Sequence, residues 1–391
     1  MRSFSDLSEQ SAFKFVILLG IVSLFADMTY EGARSITGPY LAILGANAAV
    51  VGFIAGFSEL IGYAMRLVSG LLADKTGKYW TITIIGYTCN VLAVPLLALA
   101  GHWWVAAILM IAERLGKAIR VPSRDAMLSH AGQKIGMGWV FGLHEALDQV
   151  GAMIGPLIVA VVLYFKGGYQ QSFAILLIPA LLTLAVLAFS RWVYPHPEAL
   201  EVEYNNLETK GMNSSFWIYL VGASFIAAGY ADFPLIAYHF QKKAVLSPIW
   251  IPVSYSIAMG VNVLTAPLFG YFYDRKGFAV LIVATIISCF FAPMVFFGNF
   301  IFILIGVILW SVGMGAHESL MRAIVANMVP KNKRGSAYGI FNMGFGVSWF
   351  LGSFLMGVLY DISIPALVIF SVVIQLFAVP LLWVVRKRVN C

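Results

Sequence analysis

The chain of 391 residues is 61% hydrophobic and 11% charged, whereas soluble proteins run nearer about 45–50% apolar and about 25% charged. That excludes an ordinary soluble protein. The net charge of +7 speaks of topology rather than nucleic acid, because Lys and Arg gather in the cytoplasmic loops of membrane proteins. Apolar runs of about 20 residues, each able to cross a hydrocarbon core of about 30 Å, recur along the whole length. The expected class is an all-α polytopic membrane protein. Cys89, Cys289 and Cys391 are too few and too scattered for a disulfide framework or a metal knuckle. No cleavable signal peptide is expected, since residues 1–12 are polar and the first span is too long and too charged for an h-region.

In chain order, charges and Gly/Pro clusters divide the sequence into twelve spans. They fall at about 13–42, 48–73, 79–100, 102–124, 138–165 and 169–193, then 214–240, 247–272, 279–298, 300–328, 334–360 and 363–386. Between the sixth and seventh lies the longest polar stretch, PHPEALEVEYNNLETKGM, with four glutamates. The domain organisation expected from this is an N-terminal six-helix bundle (1–194), a cytoplasmic linker (195–213) and a C-terminal six-helix bundle (214–391).

Charge sets the expected orientation. Of 25 Lys and Arg, Arg34, Arg66 and Arg322 are assigned within spans, and Lys166, Lys242 and Lys243 to loops that follow odd-numbered spans. The others are assigned to the termini and the alternate loops, among them Lys75, Lys78, Arg120, Arg124, Arg275 and Arg386-Lys387-Arg388. Both termini are then cytoplasmic, in a plasma membrane of bacterial type. That requires an even number of spans.

The two halves echo each other. GLLADKTGK at 70–78 is answered by GYFYDRKG at 270–277, and FGLHEALDQVGAMIG at 141–155 by YGIFNMGFGVSWFLG at 338–352. SLFADMTYE at 23–31 sits over SFIAAGYAD at 224–232, with Glu31 opposite Asp232. Three collinear matches at nearly one offset read as a two-fold repeat of six spans. Such repeats put a substrate site near the midplane of the membrane, where the halves meet.

GLLADKTGK after the second span resembles the loop signature of the major facilitator superfamily, and GYFYDRKG stands where its second copy is expected. GAMIGP (151–156) in the fifth span resembles the glycine–proline motif of proton antiporters in that superfamily. The resemblance covers essentially the whole chain and implies two pseudo-symmetric six-helix bundles that transport by alternating access. It implies a cytoplasmic gate at Gly70, Asp74, Gly77, Asp274 and Gly277. Physically, the glycines permit close helix approach and a tight turn, and Asp74 can cap the following segment or pair with nearby cations.

Charge at membrane depth is costly and marks function. In span one, Asp27, Glu31 and Arg34 stand at i, i+4 and i+7 with Tyr30 beside them. Glu59, Tyr63 and Arg66 repeat the device in span two, and span ten carries His317, Glu318 and Arg322. Span five places His144 at i, i+4 from Asp148, and Glu145 at i, i+3 from it. Asp27, Glu31, Glu145 and Asp148 are therefore the expected proton-coupling residues, with Glu145 and Asp148 first because two nearby carboxylates resist joint ionisation. Expected substrate contacts are Tyr30, Arg34, Glu59, Tyr63, Arg66, His144, Asp232, His317, Glu318 and Arg322. His239, near a span end, reads as an interfacial residue.

No nucleophile elbow, HExxH or phosphate-cradling loop is present in the sequence, so no enzyme, cofactor or ATP-driven pump is expected. The expectation is a monomeric, proton-coupled secondary transporter exporting a small organic solute by antiport, in contact with lipid and without a nucleic-acid partner. Symport of a nutrient such as a sugar, organic acid or peptide is the alternative, and a divalent-metal carrier a weaker third.

Overall fold

The computed structural model describes residues 9–195, 212–329 and 334–389. Within them run fifteen α-helices. They are α1 (Glu9–Ile43), α2 (Ala48–Thr76), α3 (Tyr79–Leu96), α4 (Trp103–Ile135), α5 (Met137–Tyr164), α6 (Tyr169–Ile175), α7 (Leu177–Val193) and α8 (Ser214–Gly229). Then follow α9 (Phe233–Lys242), α10 (Trp250–Lys276), α11 (Ala279–Ser288), α12 (Phe291–Phe297), α13 (Phe300–Met328), α14 (Arg334–Ile362) and α15 (Ile364–Val389). The pairs α6/α7, α8/α9 and α11/α12 each occupy one expected span, so the fifteen helices form the twelve rods read from the sequence.

Each interruption has a covalent cause. A proline offers no N–H to the carbonyl four residues earlier and crowds it sterically. Pro179, Pro234 and Pro293 stand four residues after Ile175, Tyr230 and Cys289, which are the positions where α6, α8 and α11 give way. Proline alone does not suffice, because Pro39, Pro95, Pro122, Pro156, Pro267 and Pro380 lie inside unbroken helices. At the α8/α9 break, side chains take over the released carbonyls. Gly229 O accepts from Ser371 Oγ at 2.6 Å and from Gln375 Nε2 at 3.0 Å, and Ala231 O accepts from Trp310 Nε1 at 2.9 Å. Irregular backbone survives away from water only when satisfied in this way.

Eleven of the rods are long and apolar enough to cross a membrane. The exception is α4. It carries Glu113, Arg114, Lys117, Arg120, Arg124 and Asp125, and it runs on to Ile135, past the expected end near residue 124. Arg120 and Arg124, assigned to a loop on sequence, are buried on this helix, at 0% and 8% exposure. The charge count behind the expected orientation loses both.

The chain forms two compact units, one of Met1–Ile36 and Ile61–Glu203, the other of Thr37–Leu60 and Tyr204–Cys391. In the first unit, α5 lies directly on α1: a methyl group at Gly151 would overlap the carbonyl of Leu24, and one at Gly155 that of Met28. The second unit repeats the seam, because a methyl at Gly352 of α14 would overlap the carbonyl of Ala228 in α8. The linker expected at 195–213 falls largely outside the described residues, as does Cys391.

The second unit also holds the start of α2. Ala48 and Ala49 donate their N–H groups to the two carboxylate oxygens of Asp361, at 3.1 and 2.9 Å. The carboxylate so supplies the partners that a helix N-terminus otherwise lacks. His239, expected at an interface, is instead buried against Phe240, Phe296 and Tyr360, with Nδ1 3.1 Å from Tyr360 Oη.

Candidate functional site

Within the first unit, α1, α4 and α5 bring together a buried cluster of opposite charges. From α1 come Ser23, Asp27 and Tyr30, from α4 Lys117, Arg120 and Arg124, and from α5 His144 and Asp148. Asp27 and Tyr30 share a helical face, as do His144 and Asp148. On α4, Glu113, Lys117, Arg120 and Arg124 stand at i, i+4, i+7 and i+11, a single stripe along one side.

Arg120 is the centre. It is fully buried, with Nη2 3.6 Å from Asp27 Oδ1, and its guanidinium lies 4.2 Å from the centroid of the Tyr87 ring. Its Nε and Nη1, and Asp27 Oδ1, have no hydrogen-bond partner among the described residues. The separation exceeds a hydrogen bond, so this is a loose ion pair. Lys117 Nζ donates to Tyr30 Oη at 2.6 Å.

A second pair lies beside it. Arg124 Nη1 is 3.8 Å from Asp148 Oδ2, and His144 Nδ1 is 3.5 Å from the same oxygen. Asp125 holds Arg124 more closely, accepting from Nε at 3.0 Å and Nη2 at 2.9 Å. Ser23 Oγ joins the parts: it accepts from Arg124 Nη1 at 3.1 Å and lies 2.8 Å from His144 Nε2 and 3.0 Å from Tyr87 Oη. At such separations the attraction between unit charges is about 4 kcal/mol at an effective dielectric constant of 20. The larger quantity is the cost of stranding one buried charge when its partner is removed, about 3–5 kcal/mol.

The cluster takes in some of the expected residues and leaves out others. Asp27 and Tyr30 share a face of α1, and His144 and Asp148 a face of α5, as their spacing implied, while the meeting of the two faces comes from packing across helices. Glu145 does not join them: it is exposed, and accepts from Gln149 Nε2 at 3.1 Å. One residue along a helix is a turn of 100°, which carries Glu145 away from the His144–Asp148 face. Glu31 is buried and Arg34 half-buried on α1. Arg66 lies over the Tyr63 ring at 5.5 Å, and the half-buried Glu59 belongs to the second unit.

Lys117 and Glu113, which accepts from Asn90 Nδ2 at 2.8 Å, had no expected role, and Arg120 and Arg124 had been set in a loop. The signal that could have found them is the α4 stripe itself. Glycines let α3 approach it, since a methyl at Gly86 would stand 2.6 Å from Arg120 N, and one at Gly116 would overlap Asn90.

In the second unit, Asp232 is buried at the α8/α9 break and accepts from Trp349 Nε1 at 2.8 Å. His317 is buried nearby, its ring 4.8 Å from that of Tyr230. Glu318 and Arg322 lie on α13, but their side chains fall outside the described residues. Of the expected gate, Gly77 and Gly277 have positive φ, 65° and 58°, at equivalent turns of the two halves. Asp74 does not cap α3: it accepts from Tyr79 Oη at 3.2 Å, and the residue before α3, Lys78, makes no side-chain cap. Gly70 is half-buried beside Pro122 of α4, and Asp274 is exposed at the end of α10.

The family model for the Major Facilitator Superfamily matches residues 19–321 and 250–390. The chain belongs to this superfamily. An uncharacterized protein of Mycobacterium tuberculosis is 42% identical over 383 residues, 96% of this chain and 94% of the relative. An uncharacterized MFS-type transporter of Methanocaldococcus jannaschii is 26% identical over 361 residues, 90% of this chain and 89% of its own. Among solved structures, a peptide transporter POT in complex with sulfate superposes with a TM-score of 0.77 at 13% identity, over 96% of this chain and 95% of that one, which shows the fold. As a member of the superfamily, the protein is an integral membrane secondary transporter of a small molecule.

Proposed function

We propose that the protein exports a small organic solute in exchange for protons, with Asp27 and Asp148 as the proton-binding groups and Arg120 and Arg124 as their counter-charges. The observation that supports this is the pair of loose ion contacts at 3.6 and 3.8 Å between α4 and its neighbours α1 and α5. Protonating Asp27 removes the attraction that holds Arg120. The helices are then biased toward a state in which that arginine finds another partner, and proton binding becomes a shift between conformations. The seam at Gly151 and Gly155 packs α5 against α1 at Leu24 and Met28, so a change of charge on either acts on the same stretch of α4. The glycine–proline motif of that seam supports antiport, and the protein would work as a monomer in a plasma membrane with cytoplasmic termini.

The test uses proteoliposomes holding a pH-sensitive dye, an imposed pH gradient and a panel of solutes, with wild type, Asp27→Asn, Asp148→Asn and Glu145→Gln compared. Gradient-driven flux lost in the first two variants and kept in the third supports the reading. Flux indifferent to the gradient and to both aspartates rejects it, and proton entry together with the solute indicates symport.

A further inference from the structure

Two rods of the second unit reach the membrane surface side by side, and their outer faces match. The span of α8 begins at Ser214, and that of α15 ends at Arg388. Ser214, Trp217, Val221 and Phe225 stand at i, i+3, i+7 and i+11, one stripe of α8. Phe377, Val384 and Arg388 stand at i, i+7 and i+11, one stripe of α15. Contacts at both ends hold the stripes together. Arg388 Nη1 donates to Ser214 Oγ at 3.0 Å, and the rings of Phe225 and Phe377 lie 6.3 Å apart. Trp217, Val221, Phe377 and Val384 are exposed, so an open apolar furrow runs between the two contacts.

The furrow has the length of one leaflet. From Ser214 to Phe225, α8 rises about 16 Å at about 1.5 Å per residue, against about 15 Å for half of a hydrocarbon core. Its head is cationic. The last turn of α15 holds Arg386, Lys387 and Arg388, whereas that of α7, the last rod of the first unit, holds Arg191 alone. None of the three makes an ion pair among the described residues. Arg386 lies over the Trp383 ring at 5.0 Å. Arg388 commits to Ser214 a single N–H of its five, and Lys387 is exposed. Two cations are thus left for an anion at the top of the furrow.

We propose that this furrow binds one anionic phospholipid. The lipid phosphate sits among Lys387, Arg388 and the Ser214 hydroxyl, and an acyl chain runs past Val221 and Val384 toward Phe225 and Phe377. Arginine offers phosphate paired N–H donors, and Trp217 supplies an amphipathic ring at headgroup depth. Charge selects the headgroup, and the furrow selects a lipid over free phosphate. The site lies apart from Asp27 and Arg120 and does not depend on proton exchange.

Native mass spectrometry of the purified full chain in detergent, titrated with lipid, reads the affinity of the first bound molecule. The probes are dioleoyl phosphatidylglycerol, dioleoyl phosphatidylcholine and free glycerol phosphate. Phosphatidylglycerol is expected to bind about tenfold or more tightly than phosphatidylcholine, and free glycerol phosphate not to compete at the same concentration. Each cation near an anionic headgroup contributes about fivefold, so Lys387→Gln with Arg388→Gln lowers the affinity for phosphatidylglycerol by about twentyfold. The charge-matched pair Lys14→Gln with Arg191→Gln, at exposed positions of the first unit, changes it by less than about twofold, because salt screens distant charges. Equal binding of the two lipids, or free glycerol phosphate competing as well as lipid, overturns the proposal. So does wild-type affinity in the Lys387 and Arg388 double variant, or an equal loss in the Lys14 and Arg191 pair.

Discussion

The seams α5 on α1 and α14 on α8 are built alike and carry different chemistry. Gly155 and its counterpart Gly352 each bring one helix onto the backbone of another, at Met28 and Ala228. Around Gly155 the facing residues are His144 and Asp148, bound into the arginine cluster of α4. At the corresponding places beside Gly352 stand Phe341 and Phe345, in an aromatic stack that runs from Tyr219 to Trp349. Close helix approach therefore demands small residues wherever it occurs, while it leaves the neighbouring positions open to charge in one half and to rings in the other. The two seams share a scaffold, with ion pairs beside one and an aromatic stack beside the other.

The most severe way to break the comparison is to attack what the halves share. Gly155→Leu and Gly352→Leu each force a side chain into a facing carbonyl, and neither is expected to yield monodisperse protein on size exclusion. One variant folding normally would show that the two seams are not equivalent. Next in size is the charge peculiar to the first unit. Arg120→Leu removes one of the buried counter-charges of Asp27 and should cost at most about 3–5 kcal/mol of stability. Much of that returns in the double variant with Asp27→Asn, as read by denaturation in detergent. An additive double variant would mean that the 3.6 Å contact carries no coupling.

In the second unit the comparable change is Trp349→Phe. It removes one hydrogen bond to a carboxylate and should cost about 1.5–3 kcal/mol, less than the loss at Arg120. An equal loss would erase the contrast between ionic and aromatic halves. Smaller still is Gly77→Ala beside Gly277→Ala. Both turns have positive φ, so each should lose about 1 kcal/mol, alike in the two halves. Smallest of all is Glu145→Gln at an exposed position, which should alter stability by less than about 0.5 kcal/mol.

The fold was largely legible in the sequence, and the site only partly. The rods follow from the lengths of the apolar runs, and most ends fall within a few residues of those expected. The repeat was visible because Gly77 and Gly277, and Gly155 and Gly352, occupy positions where only glycine fits the turn or the approach. Pairings along one helix were equally readable, as with His144 and Asp148. Those across helices were not: nothing local says that Arg120 meets Asp27 or that Trp349 reaches Asp232. Arg120 and Arg124 were misplaced because charge counting treats a charged segment as a loop. The spacing of Glu113, Lys117, Arg120 and Arg124 on one helical face pointed the other way.

By itself the sequence determined that this chain crosses a membrane with twelve helical rods in two related halves, because length, hydropathy and glycine placement act locally. Prolines four residues beyond each interruption permit a break there, but the same residue lies inside unbroken helices elsewhere, so which rods break was decided by packing. Only the tertiary structure decided which charges face one another. A buried arginine is tolerable solely where another helix supplies its partner, and that partner is set by packing rather than by distance along the chain. The same packing turned Glu145 outward and set α4, the least apolar rod, against α1, α3 and α5.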